Sequence, residues 1–291
     1  MKKPTPVFDD IVTILGEGPV WDPVEQKIYW IDINGKKIFR SEFPAGTPQT
    51  FELALRPGSL ALREKGGLVL ATKKGFGFFD DHSQKLTLLP DSPEKDNPNV
   101  RYNDGVVDPA GRFFAGTMDA KESRDLGKLF CLDTNLQITE LEKGIYISNG
   151  MGWSLDHKNF FYIDTLAHCV WCYDYDITTG GIANRKNYIE FETNEYPDGM
   201  TIDSEGGFWI AFWGGSKIGH YDAKGQLIEN IRVPATQPTS VCFGGPDMKT
   251  LFITTASRGL SAQQLKETPL AGRLFILETD TVGRIEPRFA G

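Results

Sequence analysis

With 291 residues, 40% hydrophobic and 24% charged, the chain has the make-up of a globular protein that buries a sizeable core. Its 31 basic and 39 acidic side chains leave a formal charge of −8, which argues against a general nucleic-acid binder, because the phosphate backbone demands a basic face. Aromatics at 12% and 31 glycines favour strands punctuated by tight turns.

The N-terminal M-K-K-P-T-P-V-F-D-D carries two lysines with no apolar stretch behind them. Neither a secretory signal nor a membrane span is expected here or further along, and the expected compartment is the cytoplasm. From Glu17 onward one grammar recurs: a small or polar residue, a few apolar residues, a turn, then a second strand. It reads E-G-P-V-W-D-P-V-E-Q-K-I-Y-W-I-D from Glu17 and G-S-L-A-L-R-E-K-G-G-L-V-L-A-T from Gly58. It returns as N-D-G-V-V-D-P-A-G-R-F-F-A-G-T from Asn103 and N-G-M-G-W-S-L-D-H-K-N-F-F-Y-I-D from Asn149. The last copies are D-G-M-T-I-D-S-E-G-G-F-W-I-A-F from Asp198 and T-S-V-C-F-G-G-P-D-M-K-T-L-F-I-T from Thr239.

Each turn opens five residues after its register position, at Asp22, Arg63, Asp108, Ser154, Asp203 and Gly244. Successive repeats are 41, 45, 46, 49 and 41 residues apart, the period of a four-stranded propeller blade, and helical patterning is absent. The expected fold is all-β, one six-bladed β-propeller over residues 1–291 with a central metal-binding channel. Asp10 to Leu15 is expected to pair with the last blade and close the ring, removing exposed sheet edges.

Cys131, Cys169, Cys172 and Cys242 are too few and scattered for a disulfide framework. Cys169 and Cys172 form a C-x-x-C inside a strand-like stretch, where residues three apart point to opposite faces; this favours a structural role. His82, His157, His168 and His220 are dispersed and read as surface or partly buried side chains.

In a propeller the first strand of each blade lines the channel, so the register positions Glu17, Gly58, Asn103, Asn149, Asp198 and Thr239 meet near one axis. Four of them carry carboxylate or amide oxygens, a donor set for a hard cation such as Ca²⁺, Mg²⁺ or Mn²⁺. Taken singly, each would read as a polar turn residue bonded to nearby backbone. Arg101, two residues before Asn103, shares its face and points to the same mouth, to hold a substrate group or a channel carboxylate.

G-E-G-P-V-W-D, R-Y-N-D-G-V-V-D-P-A-G-R-F-F-A-G-T-M, S-N-G-M-G-W-S and P-D-G-M-T-I-D, in this order, resemble the senescence-marker-protein/gluconolactonase/luciferin-regenerating (regucalcin-like) family along most of the chain. The resemblance implies one divalent ion held by Glu17, Asn149 and Asp198, with Asp198 also the proton acceptor. It implies substrate contacts at Arg101 and Asn103, and hydrolysis of a sugar lactone to its acid. Calcium is the first expectation for the ion, with Zn, Mn, Mg and Fe as alternatives. After G-T-M the family often carries a substrate-contacting glutamate, where this chain reads D-A-K-E-S. Asp119 is the expected substrate-binding replacement, with Glu122 the other candidate. Trp and Phe side chains of G-F-G-F-F or W-I-A-F-W-G-G are candidates for an apolar floor under a sugar, most of them for blade packing.

Two alternatives share this site: a calcium-binding, regulatory propeller without turnover, and an esterase or phosphotriesterase using the same metal. A G-x-S-x-G elbow and a dinucleotide G-x-G-x-x-G are both missing. The expected partner is a small sugar lactone, not nucleic acid or a membrane, and the chain is expected to be a monomer or a weak homo-oligomer.

Overall fold

The computed structural model describes residues 3–44 and 46–291. They form six four-stranded antiparallel sheets set as the blades of a propeller. From the axis outward, blade 1 uses Gly16–Asp22, Lys27–Asp32, Lys37–Glu42 and Gln49–Glu52, and blade 2 uses Pro57–Leu62, Leu68–Thr72, Gly75–Asp80 and Lys85–Leu88. Blade 3 is built from Val100–Val107, Phe113–Asp119, Gly127–Leu132 and Ile138–Ile145, and blade 4 from Ser148–Trp153, Asn159–Asp164, Cys169–Asp176 and Gly181–Glu190. Blade 5 has Pro197–Ile202, Phe208–Phe212, Lys217–Tyr221 and Leu227–Arg232. Blade 6 joins Gln237–Gly244, Thr250–Ala256 and Phe275–Glu278 to the N-terminal Thr5–Pro6.

Two stretches close the ring: the expected one, which meets blade 6 through Thr13 to Leu15, and an earlier one that supplies the outermost strand. Thr5 and Pro6 pair with Ile276 and Phe275, whereas Asp10 to Leu15 runs toward the axis, where Leu15 bridges Ala256 and Thr13 donates to the Thr255 and Gly272 carbonyls. A proline fits an outermost strand because no further strand needs its missing N–H. A short α-helix, Ala262–Glu267, interrupts the strand pattern in the loop between the second and third strands of blade 6, and a single 3-10 turn, Thr165–Ala167, does so in blade 4; Ser261 and Gln264 close a capping box at the start of the α-helix.

Alternation along each strand sends side chains to both blade faces, and the core divides accordingly. Six hydrophobic clusters each lie between two neighbouring blades. One joins Tyr29, Ile31 and Phe51 of blade 1 to Leu60, Leu70 and Phe79 of blade 2; another joins Trp21 and Trp30 of blade 1 to Phe252 of blade 6. Each fully buried Phe or Leu contributes about 1.5–3 kcal/mol of transfer free energy. Cys169 and Cys172 fall in different clusters on the two faces of blade 4, and all four cysteines are free and buried.

The turn openers do the work their types suggest. Asp22 Oδ1 accepts from the Val24 and Glu25 amides, Asp108 Oδ1 from Ala110 and Arg112, and Asp203 Oδ1 from Glu205 and Gly207, at 2.8–3.2 Å.

A final segment, 282–291, crosses the face of the ring opposite the register positions and touches every blade. The Val282 carbonyl accepts from Ser204, Gly283 N donates to Met248, and Arg284 Nη1 donates to the Trp153 carbonyl. Arg288 reaches Asp22, Phe289 exchanges backbone bonds with Leu62 and Glu64, and Ala290 N donates to Gly111. Phe289 is fully buried between blades 2 and 3.

Candidate active site at the channel mouth

Every inner strand breaks register with its neighbour at the same place. The irregularities fall between Glu17 and Val20, Pro57 and Ser59, Tyr102 and Gly105, Ser148 and Met151, Pro197 and Met200, and Pro238 and Ser240. A bulge bends the strand and re-aims the side chain beside it, so each register residue sits where the backbone leaves the sheet. Glycine follows Asn149 and Asp198 because the inner strands nearly touch there. A Cβ on Gly150 would lie 2.7 Å from Met200 N, and one on Gly199 would lie 2.2 Å from Ser240 Oγ.

Glu17, Asn103, Asn149 and Asp198 are all buried and, with Arg101, line one cavity of about 240 Å³. The rest of its wall includes Leu15, Met118, Ile147, Leu166, Tyr196 and Trp213. Thr239 stays out of it, its hydroxyl tied to the Gly16 carbonyl at 2.6 Å and to Thr254.

A hydrogen-bond chain fixes the amides. Arg101 Nη1 donates to Asn103 Oδ1 at 2.6 Å; Asn103 Nδ2 donates to the Ser148 carbonyl at 2.7 Å and to Asn149 Oδ1 at 3.0 Å. Asn149 Nδ2 in turn donates to Thr165 Oγ1 at 2.7 Å, which donates to the Pro197 carbonyl at 2.8 Å. Thr165 thus sets which face Asn149 Oδ1 presents. It lies outside the register, at the end of a second strand, and nothing in the repeat pointed to it. Asn103 uses both amide hydrogens internally and keeps only Oδ1 lone-pair capacity for a ligand.

Glu17 and Asp198 have no cationic side chain within ion-pair distance among the described residues. Burial, then the neighbouring Asp104, lifts the Glu17 carboxyl to about 8; burial, then Glu17, holds Asp198 well above the carboxylate range. Among the described residues no three His, Cys, Asp or Glu gather as a metal cluster, so the donor set is two carboxylates and the Asn149 amide oxygen. Two unpaired carboxylates in one buried spot need a cation to ionise together, and oxygen donors suit a hard divalent ion. The residues fit such an ion. None of the histidines lines the cavity; His220 is buried, stacked on Trp209 at 3.9 Å.

Asp119 is not brought to this cavity. Its carboxylate is fully buried and accepts from Ser123 and Arg124, backbone and side chain. It ends the second strand of blade 3 just as Asp32 and Asp164 end theirs, where Asp32 accepts from Ile14 and Leu15 and Asp164 from Tyr146 and Ile147. It caps a loop. Glu122 lines the cavity instead, ion-paired to Arg258 across the mouth at 2.7 Å. Of the aromatics, Trp213 and Tyr196 reach the cavity wall, while Phe76 and Phe79 are core.

The family model described as "SMP-30/Gluconolactonase/LRE-like region" matches residues 15–257. Regucalcin of Gallus gallus is 39% identical over 285 residues, covering 95% of both chains. Among solved structures, a calcium-binding protein, regucalcin, from Agrobacterium tumefaciens superposes with a TM-score of 0.93 at 28% identity, covering 98% of this chain and 96% of that one. Luciferin-regenerating enzyme superposes at 0.89 and 26%, covering 98% and 99%.

Proposed function

The chain belongs to the SMP-30/gluconolactonase/LRE-like family, and on that premise we propose that it hydrolyses a sugar lactone at the channel mouth with one divalent ion. The observation that carries this reading is the buried, unpaired Glu17–Asp198 pair beside Asn149 in a cavity of about 240 Å³. Those three residues hold the ion, with calcium the first candidate because the Agrobacterium relative is a calcium-binding protein. Bound there, a divalent ion supplies Lewis-acid polarisation of the lactone carbonyl.

Asp198 accepts the proton of the attacking water and returns it to the ring oxygen as the C–O bond breaks, the exchange a positioned carboxylate can run. Arg101, braced by Asn103, donates to the substrate's oxygens and fixes the carbonyl within reach of the water. Trp213 and Tyr196 offer apolar area to the sugar ring.

The test is to strip divalent ions from the purified protein, restore them singly, and follow acid release from a panel of sugar lactones. Turnover that appears only with a restored ion is expected. Tight calcium binding with no turnover on any lactone would leave a binding protein in place of an enzyme.

A further inference from the structure

Arg258 belongs to none of the roles assigned so far, yet it lines the same cavity as Arg101. Its backbone is pinned on both sides: Arg258 N donates to the Ile14 carbonyl at 2.8 Å, and its own carbonyl accepts from Gln237 Nε2 at 3.1 Å. The guanidinium is held from the loop that follows the second strand of blade 6, and its partner Glu122 comes from the loop between the second and third strands of blade 3. Neither side chain is deeply buried, at 37% and 34% exposed, so the pair can part.

The charge of the mouth contrasts with that of the whole. In a chain of net charge −8, Arg101 and Arg258 face one cavity, and Arg56 and Lys73 stand near enough to Arg101 to act on it electrostatically. Burial and the repulsion from Arg258 bring Arg101 down to about 10, against the pull of Glu122. Glu122 opposes this group of cations, and Glu94, nearer Lys73, is already paired with Lys128. A divalent ion there would match the charge of Glu17 and Asp198, and the Asp104 carboxylate lines the lower channel rather than the mouth. An excess positive potential inside a low-dielectric mouth draws anions.

We propose that Arg258 is a specificity residue that receives a carboxylate on the substrate, so that the preferred substrates are sugar lactones carrying a second, free carboxylate rather than neutral aldonolactones. The proposal rests on the lactonase reading above. In the free protein Glu122 pairs with one guanidinium nitrogen of Arg258; a substrate carboxylate takes its place on the planar fork and Glu122 turns to solvent.

A matched pair decides it. D-glucaro-1,4-lactone and D-glucono-1,4-lactone differ only in a carboxylate for a hydroxymethyl group. In the calcium-loaded protein the ratio of their kcat/KM values is expected to favour the former by about tenfold or more, the worth of one charge-assisted pair. Arg258→Met should bring the ratio near one, Arg258→Lys should restore part of it, and Glu122→Gln should raise it. A ratio near one in the parent, or one unmoved by Arg258→Met, overturns the proposal, as does a preference for a phosphorylated lactone over the carboxylated one. Calorimetric binding of glucarate against gluconate, in the parent and in Arg258→Met, separates this from the parent reading. If neither lactone turns over but glucarate binding depends on Arg258, the lactonase reading falls and the carboxylate site stands; equal binding in both proteins removes the site.

Discussion

The mouth and the floor of the channel are built on the same six inner strands, and they treat their polar groups in opposite ways. At the mouth, bulges take Asn103, Asn149 and Asp198 out of the ladder and begin directly after Glu17, and two carboxylates are left without cationic partners among the described residues. At the floor, residues 282–291 contribute a bond to each blade in turn, and Phe289 fills the gap between blades 2 and 3. Unpaired buried charge costs stability and is kept where a ligand uses it, whereas the floor is a structural tie. Substitutions at the two ends should therefore separate activity from stability.

The largest effect is expected at the mouth. Asp198→Asn removes the proton acceptor and one charge of the ion site while keeping its shape, so lactone turnover should fall by about 10²–10⁴-fold. The metal-free melting temperature should not fall, because the amide is no longer repelled by Glu17 and Asp104. A large loss of stability with activity per folded molecule retained would reverse the contrast. At the floor, Phe289→Ala should cost about 3–5 kcal/mol in denaturant unfolding, as for other buried phenylalanines. Its kcat/KM per folded molecule should stay near that of the parent; a selective loss of activity would mean that the two ends are coupled.

Much of this contrast was legible at one end only. The spacing of Glu17, Asn103, Asn149 and Asp198 marks a symmetric position, and propeller symmetry converts that into convergence on an axis. The repeat did not place Asp119: Asp32 and Asp164 stand 15 residues after Glu17 and Asn149, but Asp119 stands 16 after Asn103, so only the structure shows that it ends its strand and caps a loop as they do. The floor had no such signal. Residues 282–291 follow the last repeat with no strand pattern, and their bonds use backbone groups and three arginine- or phenylalanine-specific contacts that no periodicity encodes. Thr5–Pro6 was equally hidden, because a two-residue outermost strand is too short to show alternation.

A smaller effect lies between the two ends. Glu286, from the crossing segment, shares the lower channel with Asp104. Burial, then Asp104, lifts its carboxyl to about 7 against the opposing pull of Arg284, and burial lifts Asp104 to about 6. For Glu286 the ordinary value of 4.5 applies in the unfolded chain, so between there and about 7 the folded state binds more protons than the unfolded one. Its contribution to stability is then fully present below the unfolded value and is lost as pH rises through the folded one. Glu286→Gln keeps the hydrogen-bonding shape without the charge. It should unfold at nearly the same temperature as the parent near about pH 4.5 and at a higher one near about pH 8, with the difference opening between. Thermal melts across that range check it in metal-free buffer. Equal differences at both ends would mean that the carboxyl already ionises freely in the folded protein, and that the floor is wetter than its packing implies.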